Sequence, residues 1–155
     1  MPATYNSPLH TAQLAALANG AARPKARAHG GTLHTLRVAY SLSATTEETE
    51  DDVINLGFLP PGATVLPGLS YVDCEDPGTT LVLKVGITGN PAAFADGITL
   101  SSGGNIRFTS GTLPASALVP ITTTENTLVF ATVASADALT DAKKLQFVIT
   151  YELYH

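Results

Sequence analysis

At 155 residues, 45% apolar and 14% charged, the chain can bury a core of its own as one domain, and its lone cysteine, Cys74, excludes a disulfide framework or a cysteine-built zinc site. The charged share is low against a usual ~25%, and Thr, Ser, Gly, Ala and Pro fill the gap, the composition of short strands and turns rather than amphipathic helices. The net charge of −5 divides unevenly: residues 1–46 hold four Lys/Arg and no acid, hence +4, while residues 47–155 hold four Lys/Arg and thirteen Asp/Glu, hence −9.

Residues 1–31 read as a basic N-terminal arm. Met1–Pro8 holds two prolines and has no period. His10–Asn19 has the composition of a short helix stopped at Gly20, marginal in water unless docked. Residues 20–31 (GAARPKARAHGG) mix Gly, Pro, Ala and positive charge and cannot offset the entropy of ordering alone.

From residue 32 the period becomes two. Leu36, Val38, Tyr40 and Leu42 share one face, with Thr35, Arg37, Ala39 and Ser41 on the other. Val53–Leu59 follows, then the turn Pro60-Pro61-Gly62. Ala63–Cys74 reads as one strand bent at Pro67-Gly68, where proline implies an edge or bulge. Beyond Asp76-Pro77-Gly78, Thr79–Thr88 alternates through Leu81, Leu83, Val85 and Ile87. Residues 89–103 read as a long loop with a helical turn at Pro91–Asp96. Strands are predicted at Asn105–Thr109, Leu118–Thr123, Thr127–Ala134 and Lys143–His155, the last with Leu145, Phe147, Ile149, Tyr151 and Leu153 on one face. About eight strands with turns every ten residues or so predict an all-β antiparallel sandwich over 32–155, an eight-stranded jelly roll being the first choice. Strand order is left open.

Little in the sequence points to chemistry. GxxxxGK[ST], GxGxxG and GxSxG are all absent. Of the four histidines, His10, His29 and His34 fall in the arm or its junction and His155 ends the chain, so none has the fixed setting a catalytic base needs. Cys74 sits beside Asp73, Glu75 and Asp76, whose charge makes a thiol less reactive. Two acidic clusters, Glu47–Asp52 and Asp73–Asp76, lack the ligand spacing of a built calcium loop and read as solvated or as landing sites for a basic arm. No enzyme activity, cofactor or metal is expected.

No apolar run approaches the ~20 residues of a membrane helix, and the apolar stretch Leu9–Leu17 precedes the basic residues, opposite to secretory order. The acid-free start is loosely like an organelle transit peptide by composition alone. An acidic body repels nucleic acid. The arm is therefore expected to bind protein, with Leu9, Leu14 and Leu17 filling an apolar groove and Arg23, Lys25 and Arg27 pairing with acidic rims. The alternative is a receptor- or carbohydrate-binding module, with Tyr71 and Tyr154 as exposed aromatics.

The order of segments GTLHTLRVAYSLSAT, TEETEDDVINLGFLPPGATVLPG, DPGTTLVLKVGITGN and TTTENTLVFATVASADALTDAKKLQFVITYEL over residues 30–155 resembles head decoration, or cement, proteins of tailed bacteriophages. The resemblance implies a β-sandwich on the outer surface of a virion, made in the host cytoplasm, associating as a homotrimer and binding the major capsid protein. It carries no catalytic residues.

Overall fold

In the computed structural model, the residues described are 4–7, 10, 11, 14, 32–42, 49–77, 80–112, 121–136 and 143–153. They form ten strands: β1 (Thr4–Asn6), β2 (Thr32–Ser41), β3 (Val53–Leu59), β4 (Ala63–Val65), β5 (Tyr71–Cys74), β6 (Leu81–Ile87), β7 (Asn90–Leu100), β8 (Gly104–Arg107), β9 (Thr127–Ala136) and β10 (Lys144–Leu153). Short 3-10 turns follow β4 at Pro67–Leu69 and β8 at Phe108–Ser110. One sheet has the order β1-β3-β9-β6-β7, the other β2-β10-β5-β8, with β4 also paired to β10. All ladders are antiparallel except β1–β3.

The period-two pattern fixes which faces meet. Leu36 and Val38 on β2 and Leu145, Phe147 and Ile149 on β10 turn inward and are buried, as are Leu81, Leu83 and Val85 on β6 and Val129, Ala131 and Val133 on β9. Each large apolar side chain so buried contributes about 1.5–3 kcal/mol, so a one-residue slip of any central strand would forfeit several at once. The long β2–β10 ladder, from Lys144↔Ser41 to Leu153↔Thr32, is continuous.

At one end of the sandwich the chain crosses from one sheet to the other after β2, β5, β7 and β9, so the ends of these strands and the starts of β3, β6, β8 and β10 gather there. The exposed residues Glu50, Asp51, Glu75 and Asp76 lie there. The opposite end holds the Thr88-Gly89 hairpin and the start of β2.

Several expectations are corrected. Residues 89–103, read as loop and helical turn, are mostly strand β7. Pro91 is tolerated because β7 lies at a sheet edge, and the pattern is hidden by register shifts between Leu83 and Val85 and between Val85 and Ile87. Ala93, Phe94 and Ala95 are consequently all buried in succession. The predicted single strand Ala63–Cys74 is two, divided by the turn at Pro67. Residues 118–120, half of the strand predicted at Leu118–Thr123, lie outside the described residues; Thr122 makes an isolated bridge to Thr64. The segment read as an arm starts within the body: β1 pairs with β3 as Thr4↔Val53 through Asn6↔Asn55. A three-residue strand is too short to show a period in the sequence.

Candidate interaction surfaces

The N-terminal segment is fastened to β3 by a compact polar knot. The Ser7 backbone N–H donates to the Asn55 carbonyl at 2.8 Å, and its buried hydroxyl donates to the Leu56 carbonyl at 2.7 Å. The same hydroxyl accepts from the His10 N–H at 3.1 Å, and Thr11 N–H donates to the Ser7 carbonyl at 3.0 Å. Ser7 is thus a helix N-cap. His10, Thr11 and Leu14 are helical. Asn6 Oδ1 takes a 2.7 Å hydrogen bond from Asn55 Nδ2 and lies 2.9 Å from His10 Nδ1. With both oxygen lone pairs used as acceptors, His10 carries its proton on Nδ1. The His10 ring rests on Phe58, centroids 5.2 Å apart, and burial pushes its pKa below the ordinary value.

Of the arm residues singled out for partner binding, Leu14 is described, and it is 43% exposed. Leu9, Leu17, Arg23, Lys25 and Arg27 lie outside the described residues. What the sequence reading missed is the anchor itself. Ser-Pro ahead of a helix-forming stretch is a readable start signal, but nothing local shows that Ser7 finds Leu56.

A second surface is the outer face of the β2-β10-β5-β8 sheet. Residues directly opposite in antiparallel ladders share a face. Val148 lies opposite both Arg37 and Tyr71, and Tyr71 lies opposite Arg107. These four residues form a single row across the sheet, pointing away from the core, while the adjacent inward row of Val38, Phe147, Val72 and Ile106 packs inside. Three strand spacings put the backbones of Arg37 and Arg107 about 14 Å apart. Both arginines are exposed, and among the described residues no carboxylate comes within salt-bridge reach of either. Between them Val148 is covered and Tyr71 half-buried. Gly68, Leu69, Tyr71, Asn105 and Arg107 line a groove of about 370 Å³ here, and Leu69 is 54% exposed.

This fold has counterparts among solved structures. A chain in the capsid of Ralstonia phage GP4 superposes with a TM-score of 0.68 at 22% identity, covering 99% of this chain and 99% of that one. A chain of the cyanophage Pam1 capsid asymmetric unit gives 0.60 at 24% identity, covering 86% of this chain and 95% of that one. At such identities the likeness establishes a shared fold. No family model and no curated protein matches the sequence.

The acidic clusters and Cys74 take their places around the end where the chain crosses between sheets. Among the described residues, no group of three or more His, Cys, Asp or Glu is placed to hold a metal ion. Asp52 is buried, its carboxylate accepting from Thr49 N–H at 2.9 Å and Thr49 Oγ1 at 3.2 Å. This closes a tight turn with Asp51 at a φ of 71°. Asp51 N–H donates to the Val133 carbonyl and Val133 N–H to the Asp52 carbonyl, each at 2.9 Å, so the turn is tied to β9 and presents Glu50 and Asp51 to solvent. Cys74 is buried, its Sγ 3.6 Å from the carbonyl oxygens of Ser102 and Gly104. Burial raises its pKa, and the charges of Asp73 and Asp76 add to this, against the Gly104 contact. The direction is the one its acidic neighbours predict, with burial the larger cause. No helix among the described residues is long and apolar enough to cross a membrane.

Proposed function

We infer that this chain is a structural protein of a phage virion, a decoration protein that sits on the outer capsid surface and braces contacts between major capsid protein subunits. The observation that carries the reading is the fold likeness to a chain of the Ralstonia phage GP4 capsid over 99% of both chains. The order of segments in the sequence and the lack of any catalytic motif point the same way. A homotrimer suits the role, since repetition about a threefold axis adds avidity to each weak contact.

The anchoring element in this reading is the rest of the N-terminal segment, with Leu9, Leu14 and Leu17 as apolar contacts and Arg23, Lys25 and Arg27 as the charged ones. Ordering such a segment on a shell lets it touch more than one neighbour at once. A receptor- or sugar-binding module would call for an exposed aromatic cluster in a concave site. Among the described residues lining the groove, Tyr71 is the one aromatic, and it is half-buried.

The test is co-sedimentation with empty shells of the cognate major capsid protein. The wild type is expected to pellet with shells at a fixed stoichiometry. A variant carrying Leu14→Ser, Leu17→Ser, Arg23→Glu, Lys25→Glu and Arg27→Glu, which leaves residues 4–7 and His10 in place, is expected to stay in solution while remaining folded. Full occupancy by that variant would refute the anchoring role. Absence of shell binding by the wild type would refute the capsid reading itself.

A further inference from the structure

We propose that the arginine row on the outer face of the β2-β10-β5-β8 sheet is a contact between copies of this chain, receiving the acidic turn Thr49–Asp52 of a neighbour. The two surfaces complement each other in charge. Arg37 and Arg107 project from one rigid sheet, and among the described residues neither has a carboxylate within salt-bridge distance. Glu50 and Asp51 are exposed on a turn held by the Asp52 carboxylate and by the ladder to Val133. The backbone of each surface is already fixed by its ladder, which removes the loop-ordering part of the cost of association.

The two cannot meet within one molecule. The turn leads into β3, in the other sheet, at the end of the sandwich where Val53 begins its strand. The arginine row lies across the middle of its own sheet and faces away from the core. Sheets packed face to face stand about 10 Å apart, the row faces away from the sheet that the turn joins, and no ion pair links the two within one molecule. A copy with an acidic turn and an arginine groove on different faces makes a head-to-tail contact, the kind that closes into a ring when the rotation permits. The acidic body otherwise makes copies repel, so the contact must place opposite charges together, and charge pairing of this kind fixes register and partner choice. The half-buried Tyr71 and exposed Leu69 supply apolar area beside the arginines, as interface cores favour aromatic residues and arginine. The inference names the contact that the trimeric reading leaves unspecified, and it rests on that reading only in requiring that copies meet.

The experiment is sedimentation velocity on the full chain without shells, with circular dichroism confirming that each variant is folded. The wild type is expected to form oligomers that weaken as salt rises. Arg37→Glu with Arg107→Glu is expected to weaken assembly about tenfold or more, and Glu50→Lys with Asp51→Lys to do the same. The variant carrying all four changes should recover the oligomer, because each charge again faces its opposite. A wild type that is monomeric at every concentration, or oligomers unaffected by Arg37→Glu with Arg107→Glu, would overturn the proposal, as would failure of the four-fold variant to reassemble. Shell binding, scored separately, tests the capsid reading: a monomeric wild type that decorates shells would sink this contact and leave that reading standing.

Discussion

Ser7 and Leu56, 49 residues apart, are joined by a 2.7 Å hydrogen bond from the serine hydroxyl to the leucine carbonyl. The β3–β9 register slips between Asn55 and Gly57, so Leu56 has no partner residue on β9, and Ser7 engages the carbonyl that the bulge leaves outside the ladder. The Ser7 hydroxyl oxygen also caps the helix by accepting from the His10 N–H. Ser7→Ala removes the cap and leaves a buried carbonyl without its donor, a combined loss of about 2 kcal/mol. Urea unfolding should show this as a lower midpoint, and limited proteolysis should cut the N-terminal segment sooner than in the wild type.

His10 ties stability to pH. Its pKa lies below the ordinary 6.5 because burial disfavours the charged ring. As pH falls through about 6.5, the unfolded chain takes up a proton at this position while the folded chain still resists it. The unfolded state then holds more protons, so the stabilisation is complete above that pH and declines as pH drops through the window beneath it. His10→Phe keeps a ring against Phe58 and removes the titration. Denaturation midpoints measured from pH 7.5 down to 5 should flatten in the variant relative to the wild type.

Cys74 should be a poor nucleophile. Only the thiolate reacts, and burial with flanking Asp73 and Asp76 raises the pKa. Modification by a disulfide reagent at pH 8 is expected to be more than about tenfold slower in the folded protein than in urea. Equal rates would show that the β5 end opens freely.

Gly86 sits where β6 turns into the tight hairpin with β7. A Cβ there would overlap the Asn90 carbonyl and the Pro91 backbone, neither of which can swing aside. Gly86→Ala is therefore expected to cost about 1–3 kcal/mol, read as a drop in thermal midpoint. Gly68→Ala, where a Cβ meets nothing within 4 Å, is the control and should leave the midpoint nearly unchanged.

The sequence made the central strands legible because their two faces meet different solvents. Leu145, Phe147 and Ile149 alternate with exposed Lys144 and Gln146, and period two is the direct record of that. It failed where one residue of offset breaks the period, as in β7, and where a strand is too brief to have one, as in β1. The surface sites were half-visible. Alternation puts Arg37 on the polar face of its strand, yet its row with Tyr71 and Arg107 spans residues far apart in the chain and depends on a strand order no local pattern encodes. The acidic turn was read as a charged cluster, but its shape comes from Asp52 reaching back to Thr49 and from the ladder to Val133.

Parallel pairing of β1 with β3 has a mechanical consequence. Ser7, in the knot on β3, and Thr32, at the start of β2, are fixed points of one body, one on each sheet. Tension applied at these two points would load β3 and β2 together and so share the force across both layers of the sandwich.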